Sequence, residues 1–185
     1  LFADLSVGGF AIAHNGNLTN ALKLRNELVQ SGAIFQSTSD TEVLLQLIAR
    51  SKSNGVINRF VDALKQIDGA YALVALTADK LIGARDPLGI RPLILGKLEN
   101  RFILSSETCA LDIIGAKFVR EIDNGEIVVI SGENIESIKP FPEVRKRPCI
   151  FEYIYCARPD SIFGEKSIYE CRKNFGHELA AEAPC

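Results

Sequence analysis

The sequence predicts an α+β domain built on antiparallel strands, and three observations carry that prediction. The first third of the chain holds three stretches of helical periodicity, while from Gly69 onward short apolar runs alternate with turn signals. Helices followed by many strands, without strict alternation of the two, is the α+β pattern. The bulk composition agrees: 185 residues, 47% apolar and 24% charged, are the size and balance of about one globular domain. Disordered, collagen-like and coiled-coil chains are excluded on the same grounds.

Each element has its own signal. Residues 8–13 form an apolar run that reads as a buried strand, ending in a tight turn at His14-Asn15-Gly16-Asn17 because Asn and Gly tolerate positive φ. Leu18, Ala21, Leu22, Leu28 and Val29 then recur at helical spacing, which predicts a helix over 18–30 stopped by Gly32. Ser39 and Glu42 have capping-box spacing and mark the start of a second helix, with Val43, Leu44, Leu47 and Ile48 on one face. A third helix over 56–66 brings Ile57, Phe60, Val61 and Leu64 together.

The runs 70–77, 80–85, 92–97, 101–105, 117–121 and 126–130 are expected to form a meander of antiparallel strands. Turn signals at Ala78-Asp79, Asp86-Pro87-Leu88-Gly89, Glu99-Asn100 and Asp123-Asn124-Gly125 separate them. Residues 138–148 hold three prolines and four basic residues and read as an extended connection. A strand and turn over 149–160 and a helix over 167–183 complete the chain. The expected division is 1–145 as one domain and 146–185 as a connection with the first elements of another.

Several function classes are disfavoured at once. A net charge of −2 gives no general pull toward nucleic acid or anionic membrane. No apolar run approaches the roughly 18 residues of a membrane span. Cys109, Cys149, Cys156, Cys171 and Cys185 are odd in number and widely spaced, without CxxC, which argues against a disulfide framework or a self-contained zinc site. The chain opens at Leu1 and contains no Met, so it is expected to be a piece of a longer protein, reduced and cytoplasmic.

Four segments carry residues suited to chemistry. At His14-Asn15-Gly16-Asn17, an Asn amide and a Gly N–H could offer two donors to one oxyanion, as acyl transfer requires; a plain Asn-Gly turn explains the tetrapeptide more simply. Asp40 at a helix start could hold a substrate ammonium group, although capping suffices there. Arg85-Asp86-Pro87-Leu88-Gly89-Ile90-Arg91-Pro92 reads equally as a structural turn or a substrate loop. Ser105-Ser106-Glu107-Thr108 reads as a strand-to-helix switch. No G-x-S-x-G, phosphate loop or dinucleotide fingerprint is present.

Together and in this order, these segments resemble the amidophosphoribosyltransferase family. The resemblance rests on His14-Asn15-Gly16-Asn17-Leu18, Ser39-Asp40-Thr41-Glu42, Gly69-Ala70-Tyr71, Arg85 through Leu93, Ser105 through Ala110, and Glu152-Tyr153-Ile154-Tyr155 through Ser161. It implies an N-terminal-nucleophile hydrolase fold, a four-layer α-β-β-α sandwich, incomplete here at its N-terminus. It implies that an N-terminal cysteine attacks the glutamine amide and that a second domain, using Mg2+, joins the ammonia to phosphoribosyl pyrophosphate. Asn15 (side chain) and Gly16 (backbone N–H) match the oxyanion-hole positions, and Asp40 matches the residue that binds the glutamine α-ammonium. The nucleophile itself would precede Leu1, and none of the five cysteines stands at its position.

In some members a cysteine placed like Cys149 ligates a [4Fe–4S] cluster, and in others it does not; the resemblance leaves both open. Glutamine and phosphoribosyl pyrophosphate are the implied partners, with a homo-oligomer expected and no nucleic acid or membrane. Two other readings draw on the same motifs: a glutamine-binding regulatory module without catalysis, and the amidotransferase domain of a glucosamine-phosphate or asparagine synthetase. The tract over 149–161 argues against the synthetases.

Overall fold

The computed structural model describes residues 1–184, so Cys185 lies outside the described residues. In chain order the elements are β1 (Phe2–Leu5), β2 (Gly8–Leu18), α1 (Ala21–Gln30), α2 (Asp40–Arg50), α3 (Val56–Leu64), β3 (Gly69–Leu76) and β4 (Leu81–Arg85). There follow β5 (Ile94–Leu98), β6 (Arg101–Ser105), α4 (Thr108–Ile113), β7 (Lys117–Glu121), β8 (Ile127–Ser131) and β9 (Asn134–Ile138). The chain closes with a single wide π-helical turn (Glu152–Cys156), a short hairpin of β10 (Ile162–Phe163) and β11 (Lys166–Ser167), and α5 (Ile168–Glu182). Two compact units result: Leu1–Arg91 with Ile122–Arg147, and Pro92–Glu121 with the residues from Pro148 onward.

The first unit is a six-stranded antiparallel sheet in the order β1-β2-β3-β4-β8-β9. Alternation along β2 sends Phe10, Ile12 and Leu18 into the core and leaves Ala13, Asn15 and Asn17 exposed. The apolar face of α2 (Val43, Leu44, Leu47, Ile48) meets that side of the sheet, and Phe60 and Leu64 of α3 complete the cluster. Phe10 and Phe60 stack tilted, with centroids 6.1 Å apart. Ser39 caps α2 by accepting from Thr41 N–H at 3.2 Å. Glu42 does not close the expected box; its carboxylate turns back to the N–H groups of Gln36 and Ser37 and to the Ser37 hydroxyl. Desolvation pushes its carboxyl pKa up, but those hydrogen bonds, with Arg25 nearby, more than offset it and hold the group below the usual range.

The second unit holds a three-stranded antiparallel sheet, β6-β5-β7, with α4 packed on it through Ile94, Leu111 and Ala116. The strands therefore do not form one meander: β4 pairs with β8, while β5 to β7 leave to build the other sheet. Two edge strands, β1 and β9, were not expected. The second is mostly exposed and polar, which hides it from any apolar-run criterion.

The strand expected at the start of 149–160 is also absent; its centre is the π-helical turn. Glu152 is buried there, Tyr153 packs on Phe163 at 5.3 Å, and Arg172 ties the turn by donating to the carbonyls of Tyr153 and Ala157. These contacts come from residues far along the chain and override the local alternation.

Candidate functional site

The expected turn at His14–Asn17 is instead the last stretch of β2. It pairs with β3 in unbroken register, Asn15↔Ala72, Gly16↔Tyr71, Asn17↔Ala70 and Leu18↔Gly69. Glycine is required here for close approach. A Cβ on Gly16, whose φ is 150°, would lie 2.0 Å from the Ala70 carbonyl oxygen, and one on Gly69 would lie 2.3 Å from that of Asn17. Turn-forming residues thus serve strand pairing.

The direction of the Gly16 N–H follows from the ladder. Backbone groups of successive strand residues point alternately to the two sides. Ile12 exchanges both of its bonds with Leu1 at 2.8 Å, so even-numbered residues of β2 face the β1 side. Tyr71, opposite Gly16, agrees: its N–H and C=O go to Asp86, at 3.3 and 2.9 Å. The strand pairing with β1 ends at Phe2↔Ala11, and the Leu1 bonds to Ile12 are the last on that side. Gly16 and Leu18 therefore turn their N–H groups toward an edge that no strand among the described residues covers.

Asp40 sits on that edge. Its Oδ2 accepts the Leu18 N–H at 3.0 Å, and its Oδ1 accepts the Thr41 hydroxyl at 3.3 Å. His14 Nδ1 lies 3.3 Å from Asp40 Oδ1 and 3.2 Å from Thr41 Oγ1. With the Thr41 hydrogen given to Asp40, Nδ1 is the nitrogen that carries a hydrogen. His14 is packed, its side chain 3% exposed, and its Nε2 is buried without a hydrogen-bond partner. Capping of α2 falls to Ser39, so Asp40 is not there as a cap. Its carboxylate fixes the start of α2 to β2, and a quarter of the side chain stays open to solvent.

Asn15 is exposed on the opposite face of β2, and its Oδ1 accepts from Arg91 Nη2 at 2.8 Å. Arg91 ends the loop 85–91, whose other charged residues are buried. The Asp86 carboxylate, fully buried, accepts from the backbone N–H of Tyr71, Leu88, Ile90 and Arg91 at 3.0–3.3 Å. Arg85 is 3% exposed and donates to the carbonyls of Gly89, Arg91 and Ile122. Tyr71 lies beside this knot, and desolvation, with Asp86 nearby, pushes its phenol far above the ordinary range, so it stays neutral.

The structure thus brings Gly16 and Asp40 to one strand edge with Asn15 adjacent in sequence. Cys149 belongs to the other compact unit. Among the described residues no group of three or more His, Cys, Asp or Glu could hold a metal ion, and no cysteine lies on β2, α2 or the loop 85–91. His14 and Arg91 lie in segments that the sequence singles out, but the contact of Arg91 with Asn15 has no local signal. Arg91 stands 76 positions from its partner, beyond any local pattern.

An amide, a backbone N–H on an edge uncovered among the described residues, and a carboxylate, on and beside one strand end, can stabilise an oxyanion and receive an ammonium group. A model of the glutamine amidotransferase domain matches residues 3–112, and the chain belongs to this family. Within it the chain is similar to amidophosphoribosyltransferases: 53% identical to the enzyme of Rhizobium etli over 100% of this chain and 38% of that one. It is 47% identical to the chloroplastic enzyme of Glycine max, over 98% of this chain and 32% of the other. The solved glutamine phosphoribosylpyrophosphate amidotransferase of B. subtilis, complexed with ADP and GMP, superposes with a TM-score of 0.96 at 39% identity, over the whole of this chain and 41% of that one. The match bears out the expected α+β, N-terminal-nucleophile hydrolase fold. The chain spans about two fifths or less of the length of these relatives. No described helix is long and apolar enough to cross a membrane.

Proposed function

We propose that the protein containing this chain releases ammonia from glutamine and transfers it to phosphoribosyl pyrophosphate, giving 5-phosphoribosylamine. The observation that carries the reading is the shared edge of β2, where Gly16 offers an N–H and Asp40 a carboxylate held by Leu18. Two residues of strand separate the two N–H groups by roughly 7 Å, the scale on which glutamine separates its ammonium from its side-chain amide. The thiolate, supplied from outside this chain, adds to the amide carbon. Negative charge then develops on the amide oxygen, where the Asn15 NH2 and the Gly16 N–H receive it. The proton that the thiol gave up passes to the amide nitrogen, and collapse then expels ammonia and leaves a thioester that water cleaves to glutamate.

Asp40 pairs with an ammonium that is charged throughout the reaction, so its contribution belongs to binding. Asp40→Asn in the complete protein is expected to raise the glutamine KM about 10- to 100-fold, the range for losing one charge-assisted hydrogen bond. Synthesis from added ammonium salt should be unchanged. An unaltered glutamine KM would remove Asp40 from the substrate site.

We assign residues 1–145 to the amidotransferase domain and 146–185 to the connection and first elements of the phosphoribosyltransferase domain, where the Mg2+ would act; the proline-rich stretch over 138–148 supports that boundary. We place the protein in the cytoplasm as a homo-oligomer without nucleic acid or membrane partners, although the soybean relative bears a chloroplastic name. Cys149 is a free, partly exposed thiol; it would be one ligand if the complete protein carries a [4Fe–4S] cluster, and a cysteine without a cluster is the other reading. The described residues do not gather the others, so no step of the reaction is drawn through it. If the cluster exists, iron in the complete protein, prepared without oxygen, should fall on Cys149→Ser; iron-free wild-type protein would end the cluster reading.

A further inference from the structure

The loop 85–91 keeps two charged side chains buried, and their bonds converge on its last residue. The Arg91 N–H donates to Asp86 Oδ2 at 3.2 Å, and its carbonyl accepts Arg85 Nε at 2.8 Å. Its backbone is thus held from both sides, and its guanidinium reaches Asn15 Oδ1 at 2.8 Å. We propose that Arg91 is a positioning residue that orients the Asn15 amide for glutamine hydrolysis, an inference that rests on the oxyanion role given to Asn15 above.

The chemistry permits one orientation. A guanidinium only donates, so the end of the amide that meets Arg91 is its oxygen, and the NH2 is turned away from it. Asn15 is exposed on a strand face, where an unheld amide interconverts between two flipped states of similar energy. In the wrong one, Asn15 presents a carbonyl lone pair to the oxygen that is becoming negative. Arg91 removes that state before substrate arrives. A cation on the amide oxygen also polarises the group and strengthens its N–H donors. The buried Asp86 and Arg85 have a task in this account, which is to hold Arg91 at the reach that Asn15 requires.

The test uses the complete enzyme and compares Arg91→Ala, Arg91→Lys, Asn15→Ala and the double variant Arg91→Ala with Asn15→Ala. Each is assayed with glutamine and with ammonium salt. Arg91→Ala should lower the glutamine-dependent kcat about 10- to 100-fold, the range for partners that orient a working group, with the KM for glutamine nearly unchanged. Arg91→Lys keeps a donor and should recover part of the loss. In the Asn15→Ala background, removal of Arg91 should cost nothing more, because its effect passes through the missing amide. Ammonia-dependent synthesis retained in all four shows that the transferase domain is intact, and urea unfolding that matches the parent within about 0.5 kcal/mol shows the same for the amidotransferase domain. An impaired Asn15→Ala beside a normal Arg91→Ala overturns the positioning role and leaves the oxyanion reading standing. So does a loss from Arg91→Ala that persists in full when Asn15 is already alanine. A normal glutamine-dependent kcat in Asn15→Ala overturns both.

Discussion

Asp86→Ala is expected to destabilise the fold by about 3–5 kcal/mol, the range for deleting one partner from a buried charged network. The carboxylate is fully buried and accepts backbone N–H groups from Tyr71, Leu88, Ile90 and Arg91. Alanine would leave these donors facing a small void that offers no acceptor. Arg85 would remain buried with its carbonyl partners but without the adjoining anion. Asp86→Asn should not rescue the fold, because its NH2 would meet a cluster of donors. With a denaturant slope of about 1–3 kcal/mol per molar urea, the midpoint of urea unfolding followed by circular dichroism should fall by roughly 2 M. A midpoint within about 0.5 M of the parent would show that the loop is held by other means.

Asn15→Ala is expected to lower the glutamine-dependent kcat of the complete enzyme about 10²- to 10³-fold, or roughly 2.7–4 kcal/mol, the cost of losing one oxyanion donor. The amide oxygen of glutamine acquires its charge only as the thiolate adds, so the Asn15 contribution appears in the transition state and the KM moves little. The side chain is exposed and on the face of β2 away from the core, so little stability is lost with it. Urea unfolding of the variant should match the parent within about 0.5 kcal/mol, as for ordinary surface changes. A normal kcat with glutamine would withdraw the assignment. A large loss of stability would make Asn15 a structural residue.

The elements legible in the sequence are those with local causes. Ser39 marks the start of α2, the stripe Ile57-Phe60-Val61-Leu64 marks α3, and the apolar runs mark β3, β4 and β8. At His14–Asn17 the local signal pointed to a turn, because Asn-Gly satisfies positive φ wherever it occurs. The residues were placed by a partner strand: Gly16 is glycine because the Ala70 carbonyl crosses its Cβ position. Asp86-Pro87-Leu88-Gly89 likewise has the composition of any exposed turn. Only in three dimensions do four backbone donors close on its carboxylate. The π-helical turn at Glu152 and the reach of Arg91 to Asn15 depend on residues distant in sequence, and periodicity cannot register them.

The measurement that bears most directly on the proposed activity follows the amide nitrogen. The complete protein is incubated with glutamine labelled with 15N at the side-chain amide, with phosphoribosyl pyrophosphate and Mg2+, and products are identified by mass. Labelled phosphoribosylamine and an equal amount of glutamate are expected, both formed about 10²- to 10³-fold more slowly in Asn15→Ala, with the amine restored by ammonium salt. Glutamine that binds and is recovered intact would contradict the proposed activity and mark a regulatory module. In parallel incubations that supply a hexose phosphate, or aspartate with ATP, label passed to either acceptor would contradict it equally, by placing this chain in a different amidotransferase.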